Sequence, residues 1–153
     1  MEEKTNVMRL LEQKKIHYIP HFYENAVSGC EVAAALGQNP DQVFKTLVTV
    51  GKSRNHYVFI IPVAKELDLK KAAKAVGEKS IEMVKSKELL PLTGYIHGGC
   101  SPIGMKKFFT TTIDSSAMQF STICFSAGKI GYQVELNPHD LSKMIHIQTA
   151  ELI

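Results

Sequence analysis

Four glycines and a proline fall within Leu92-Thr-Gly-Tyr-Ile-His-Gly-Gly-Cys-Ser-Pro-Ile-Gly104, a composition that suits neither a regular helix nor a clean strand. Gly98 and Gly99 open backbone angles closed to other residues and let a ligand approach the main chain. Successive amides in such a bend can point one way and form a nest for an anion, or for a carbonyl oxygen gaining charge. Lys106 and Lys107 follow with positive charge. A phosphate-cradling P-loop is excluded. Gly99 and Gly104 have its separation, but Met105 stands where its lysine belongs and Pro102 interrupts the loop.

Lys45 is the second candidate. In Val43-Phe-Lys-Thr-Leu-Val-Thr-Val50, strand alternation puts Val43, Lys45, Leu47 and Thr49 on one face and Phe44, Thr46, Val48 and Val50 on the other. A lysine among such neighbours is costly to desolvate unless it meets an anion or a cleft. Cys100 lies in the glycine loop, yet a thiol nucleophile needs a base beside it, and His97 is three residues away with no fixed geometry. Ser101 precedes Pro102 and lacks the Gly-x-Ser-x-Gly elbow. Asp140 reads as a first-turn helix carboxylate. His17 and His21 could share a strand face, but no cysteine or third histidine stands at ligand spacing, so no metal site is expected.

The 153 residues suit one domain, residues 1–153, with a core large enough to need no staples. Cys30, Cys100 and Cys124 are far apart with no Cys-x-x-Cys, which fits reduced thiols in a cytosol. No apolar run reaches membrane-spanning length, and Met1-Glu-Glu-Lys-Thr5 lacks the plan of a secretory signal. The formal charge is +3, and of eighteen cationic residues only Arg9 and Arg54 are arginine. Lysine meets phosphate as a point charge whereas arginine reads guanine edges, so a nucleic-acid partner would be held by its backbone.

These residues need elements to position them. Periodicity and capping predict a helix over 6–15 capped by Thr5, an edge strand over 16–23 containing Pro20, and a helix from the Ser28/Glu31 capping box to Gly37. A hairpin of strands 43–50 and 56–62 follows, then a helix over 69–76 between Asp68 and Gly77, with Lys70, Lys71 and Lys74 on a basic face. A short strand at 81–84 and a short helix at 87–90 lead into the glycine loop. Strands at 108–113, 122–125 and 132–136 come next, then a last helix from Pro138 through Met144. Many short strands among interspersed helices argue for α+β, with mixed pairing in a curled, barrel-like sheet flanked by helices.

In this order the residues match a family. Phe44-Lys-Thr-Leu47, Leu67-Asp-Leu-Lys-Lys-Ala72, Leu92-Thr-Gly-Tyr95, Gly98-Gly-Cys-Ser-Pro-Ile-Gly104 with Lys106-Lys107, Thr111 through Ile113, Ser126-Ala-Gly-Lys-Ile-Gly131 and Val134-Glu-Leu-Asn-Pro-His-Asp-Leu141 together resemble the YbaK/EbsC aminoacyl-tRNA editing family. The resemblance implies a cytoplasmic trans-editing hydrolase of Cys-tRNA(Pro), and possibly also Cys-tRNA(Cys), related to the editing insertion of bacterial prolyl-tRNA synthetase and acting with that enzyme. It implies no cofactor and no metal. Family positions of function match Tyr23, Lys45, Thr46, Gly98, Gly99 and Asp140. Phe44, Cys100 and Ser101 would line the substrate pocket, and Lys70, Lys71, Lys74, Lys106, Lys107 and Lys129 would form a tRNA track. Ala127 and Ile130 depart from the family's usual Gly and Arg, which weakens the match beside Lys129, and Cys100 occupies a variable position.

The implied chemistry is consistent with the residues. An aminoacyl ester is already reactive, so positioning and oxyanion stabilisation suffice. In this family the cysteinyl substrate is held to supply its own thiol, which accounts for a site without a clear protein nucleophile. Three alternatives remain at this stage: an editor of another small amino acid such as Ala-tRNA(Pro), a non-catalytic tRNA- or synthetase-binding module, and an acyl hydrolase dependent on Cys100.

Overall fold

In the computed structural model, which describes residues 3–26 and 28–153, the chain is a mixture of helices and short strands. The Thr5 hydroxyl accepts from the Met8 amide and starts α1 (Asn6–Gln13), whose Val7, Met8 and Leu11 are buried. β1 (Ile19–Phe22) lies at a sheet edge, where Pro20 is tolerated. The capping box of Ser28 and Glu31 begins α2 (Gly29–Leu36), and Gly37, in the left-handed conformation, ends it. The hairpin is β2 (Phe44–Gly51) and β3 (His56–Pro62). The Asp68 carboxylate accepts from the amides of Lys70 and Lys71 to open α3 (Leu69–Val76). Then come β4 (Ile81–Met83), α4 (Ser86–Thr93), the glycine loop, and β5 (Thr110–Asp114) with a 3₁₀ turn over Ser115–Gln119. β6 (Ile123–Ser126), β7 (Tyr132–Leu136), α5 (Pro138–Leu141) and β8 (Ile147–Ala150) complete the chain.

β1 begins at Ile19 where 16 was expected, and β5 begins at Thr110 where 108 was expected, which leaves Phe108 and Phe109 in the preceding loop. Three further differences have local causes. α4 runs on to Thr93 despite Pro91, because buried Leu89 and Thr93 anchor it and the Thr93 hydroxyl donates to the Leu89 carbonyl. α5 stops at Leu141. The Met144 amide bonds three residues back to the Leu141 carbonyl, which tightens the turn instead of continuing the helix. β8 was not anticipated. It adds to β5 as a parallel edge, a pairing that local sequence does not encode.

The strands form two sheets, ordered β1-β7-β6 and β4-β2-β3-β5-β8. The smaller sheet is antiparallel, and the larger is mixed, with β3, β5 and β8 parallel. They join at one point, a parallel bridge between Val43 and Cys124, with the Cys124 amide bonded to the Gln42 carbonyl. The ladder curls without closing into a barrel.

Between the sheets lies the principal core. Phe44, Val48, Val58, Ile60 and Ile113 come from the larger sheet, Ile123, Phe125, Val134 and Leu136 from the smaller, and Val7, Met8 and Leu11 from α1. Each large apolar side chain buried there contributes about 1.5–3 kcal/mol. The outer face of the larger sheet carries a second cluster, in which Phe59, Ile61 and Leu47 meet Ala72 and Ala73 of α3. The alternation read from the sequence of β2 is therefore the one observed.

The chain end is pinned by Asp114, which is 2% exposed. Its two carboxylate oxygens accept from the Leu152 and Ser116 amides, and the Leu152 carbonyl in turn accepts from the Asp68 amide at the head of α3. Asp114→Ala leaves two amides without their acceptor. Urea denaturation of this variant is expected to show a loss of about 2–4 kcal/mol, with β8 the first element to lose amide-exchange protection.

Candidate functional site

Register places the polar residues of the outer surface in one line. His21 of β1 stands opposite Gln133 of β7, and Gln133 stands opposite Ser126 of β6. Lys45 of β2 stands opposite Ile61 of β3. The two halves meet through the isolated Val43–Cys124 bridge, and two residues on from it along each segment Lys45 and Ser126 take the same side as the bridged pair. The row is thus two half-rows, His21, Gln133 and Ser126 on one sheet and Lys45 and Ile61 on the other, all facing away from the principal core, whose residues are the alternate ones.

Two helices leave a gap over Lys45. Val43, before it, packs with Ala33 of α2 and with Val63 and Cys124. Leu47, after it, packs into the cluster under α3. α2 is pressed close at its start, for a side chain at Gly29 would come within 2.6 Å of Val63. Lys45 thus rises half-buried between two helix footings, and among the described residues its ammonium makes no ion pair. Gln133 is 6% exposed and its Oε1 has no hydrogen-bond partner, an unmet acceptor of a kind that folded proteins rarely leave.

The glycine loop is fastened beside this row, at Ser126. Ser126 leads into the turn 127–131, with the Gly128 amide donating to the Ser126 hydroxyl. Gly99 lies against that turn, where a Cβ would approach the Ile130 nitrogen to 3.2 Å. Gly98 has φ +89°, open to glycine at little cost. The Tyr23 amide donates to the Gly131 carbonyl at 3.0 Å, so Tyr23 borders the same turn. Tyr95 braces the arrangement from beneath, its hydroxyl donating to the Ile103 carbonyl at 2.6 Å. The Gly99 amide is already bonded to the Ile96 carbonyl, whereas those of Gly98 and Cys100 have no partner among the described residues. This narrows the expected donor set from the whole bend to two amides.

Other expected site residues lie elsewhere. Phe44 is 2% exposed within the principal core, and Thr46 faces the same way, its Oγ1 buried and unpartnered. Both form the wall behind β2, while Lys45 points the other way. The Ser101 hydroxyl accepts from the Ile103 amide, a turn-closing role. Burial pushes the Cys100 thiol up to about 12, the Thr93 hydroxyl offsetting only part, so it is a neutral thiol at physiological pH. Asp140 in the first turn of α5 is paired with Lys143 at 2.8 Å. Lys70, Lys71 and Lys74 lie exposed on α3, with Lys71 bonded to the Ile153 carbonyl, and Lys129 sits 5.0 Å from the Tyr132 ring centre.

Sequence spacing missed the neighbours of His21. Its Nε2, the Cys124 thiol and a Glu135 carboxylate oxygen lie within 4.8 Å of one another, brought together from three strands. Burial alone would raise the Glu135 carboxyl, but hydrogen bonds with Thr122 and His21 more than offset this and hold it below the usual carboxylate range. Ser126 and Gln133 were missed for the same reason. Alternation could have assigned them a face, though not a neighbour on β2.

Comparison with known proteins identifies the class. Residues 24–144 match the aminoacyl-tRNA editing domain, and the chain belongs to that family. A protein of Enterococcus faecalis described as a candidate Cys-tRNA(Pro)/Cys-tRNA(Cys) deacylase, EbsC, is 47% identical over 99% of this chain and 94% of its own length. Among solved structures, one described as a candidate trans-editing enzyme for prolyl-tRNA synthetase superposes with a TM-score of 0.83 at 24% identity, covering 98% of each chain. Another, a hypothetical protein, reaches a TM-score of 0.88 at 19% identity over 97% of this chain and 99% of its own. These two share the fold.

Two measurements test this geometry. Gly99→Val must push the bend away from the 129–131 backbone, and is expected to lower turnover about 10²-fold, as loss of one well-aimed donor does, while the melting curve keeps a single transition. Cys100→Ser is expected to retain full turnover, with no inflection from this residue in a pH–rate profile run up to pH 10. An inactive, folded Cys100→Ser protein would return the thiol to the chemistry.

Proposed function

We propose that this protein is a trans-editing aminoacyl-tRNA deacylase that hydrolyses the ester of Cys mischarged onto tRNA(Pro), acting in the cytosol beside prolyl-tRNA synthetase. The observation that carries it is the 47% identity, over nearly the whole of both chains, to the Enterococcus relative whose name states that activity. The polar row beside the glycine bend supports the reading, because it offers charge and main-chain donors but, among the described residues, no activated nucleophile of its own.

The substrate then supplies the nucleophile. Its Sγ loses a proton and attacks its own carbonyl carbon, the S–C bond forms, and charge gathers on the carbonyl oxygen. The amides of Gly98 and Cys100, unpartnered among the described residues, are the donors for that oxyanion in this scheme. Collapse breaks the ester C–O bond, the ribose oxygen takes a proton, and tRNA leaves with its terminal hydroxyl restored. Water then opens the cyclic thioester to free cysteine. Lys45 holds the ribose or terminal phosphate in this scheme, and the Gln133 Oε1 receives the substrate's ammonium group.

Such a route sorts substrates by chemistry. An apolar pocket separates near-isosteres by only about 10–200-fold, whereas serine and alanine esters lack the thiol on which the reaction depends. Purified protein is expected to release cysteine from Cys-tRNA(Pro) while leaving Pro-, Ala- and Ser-tRNA(Pro) charged. A cysteinyl ester that survives stoichiometric protein would sink the proposal. Lys45→Ala is expected to reduce kcat/KM by about 10²–10³ with unchanged thermal stability, in line with the removal of one electrostatic clamp.

A further inference from the structure

Away from the polar row, two open clefts of about 280 and 350 Å³ lie side by side and share a ridge formed by Phe108 and Phe109. Lys106 and Lys107 line the first, and Arg54, Asn55 and His56 line the second. No carboxylate lines either one. Glu78, which holds the Tyr57 hydroxyl beside the second cleft, is engaged by the hydroxyls of Tyr57 and Ser53. Phe108 is 76% exposed, more than any other large apolar side chain among the described residues. Phe109 is partly buried against the core and meets His56 edge-on, with ring centres 6.1 Å apart, so the ridge has a fixed base.

We propose that this ridge is a stacking platform for the single-stranded acceptor end of tRNA, with an unpaired base on the Phe108 ring and the flanking phosphates in the two cationic clefts. The proposal rests on the editing reading for the identity of the RNA. The platform itself rests on the chemistry of the surface: an isolated aromatic face between two cationic grooves is the combination that binds single-stranded nucleic acid without reading sequence, each stacked base adding affinity and each phosphate adding salt dependence. An exposed ring alone would carry no such meaning. The ridge also belongs to the segment that carries the glycine bend. The Lys106 amide bonds to the Thr93 carbonyl at 2.9 Å, which ties the platform to the start of that loop. The acceptor end is the unpaired part of tRNA, and it is also the part that carries the ester, so a strand gripped at Phe108 delivers its terminus toward the bend.

The chain contains no tryptophan, so Phe108→Trp creates a single emitter at the ridge. A single-stranded oligoribonucleotide ending in CCA is expected to quench that emission, progressively less as salt is raised, while a blunt RNA duplex of equal length leaves it unmoved. In deacylation assays with Cys-tRNA(Pro), Phe108→Ala is expected to raise KM about five- to hundredfold with kcat changed less than twofold, and Phe108→Tyr to restore the parental KM. Emission indifferent to the single strand, or a parental KM in Phe108→Ala, overturns the platform. So does quenching by prolyl-tRNA synthetase alone, which would make the ridge a protein-docking surface. Quenching by the single strand in a protein that deacylates no aminoacyl-tRNA keeps the platform and removes the editing reading. Deacylation without quenching does the reverse.

Discussion

One parallel bridge, Val43 to Cys124, holds the candidate site together. Each sheet alone presents an unremarkable outer face: Lys45 beside Ile61 on one, and Ser126, Gln133 and His21 on the other. The bridge brings the starts of β2 and β6 together, so that the two half-rows face the same outer side. The principal core lies on the inner side of the joined sheets, and the outer face carries separate packing clusters under α2 and α3. Inner packing and outer chemistry are thus two faces of the same strand pairing, and β2 serves both through the period-two alternation of its side chains.

The energetic character of the strip differs from that of the core behind it. Phe44 and Thr46 face inward, where apolar burial stabilises the fold. Lys45 and Gln133 face outward at a cost, one as a half-buried cation without a counter-charge and the other as a buried acceptor without a donor among the described residues. Unmet polar groups of this kind are what a polar ligand would satisfy. The glycine bend completes the pattern beside Ser126, where two of its amides have no partner among the described residues. Cys100 supports that bend from the core side, and its raised pKa separates it from the reacting groups proposed for the family's chemistry.

Charge is distributed on a larger scale than this strip. The lysines of α3, the 106–107 pair and Lys129 lie on different elements, and the clefts about Phe108 concentrate cations around one aromatic ring. A small domain of modest net charge can in this way grip a long polyanion through local clusters. In the proposed reading, amino-acid discrimination is left to the chemistry at the ester, and affinity for the carrier to the surface around it.

Much of this was legible along the chain because it is local. The Thr5, Ser28 and Asp68 caps, the Gly37 and Gly77 stops, the β2–β3 hairpin and the two faces of β2 all depend on residues within a few positions of one another, and the structure has them as read. The glycine bend and Lys45 stood out for similar reasons, composition in one case and an out-of-place charge in the other. Tertiary structure alone decided what lies beside them. Ser126 and Gln133 join Lys45 across a bridge spanning some eighty residues, His21 meets Cys124 and Glu135 from three separate strands, and β8 exists because β5 offers it an edge. Local signals report which backbone angles and which face a residue prefers. Neighbours across strands are chosen by the packing of the whole core, and no short stretch of sequence contains that information.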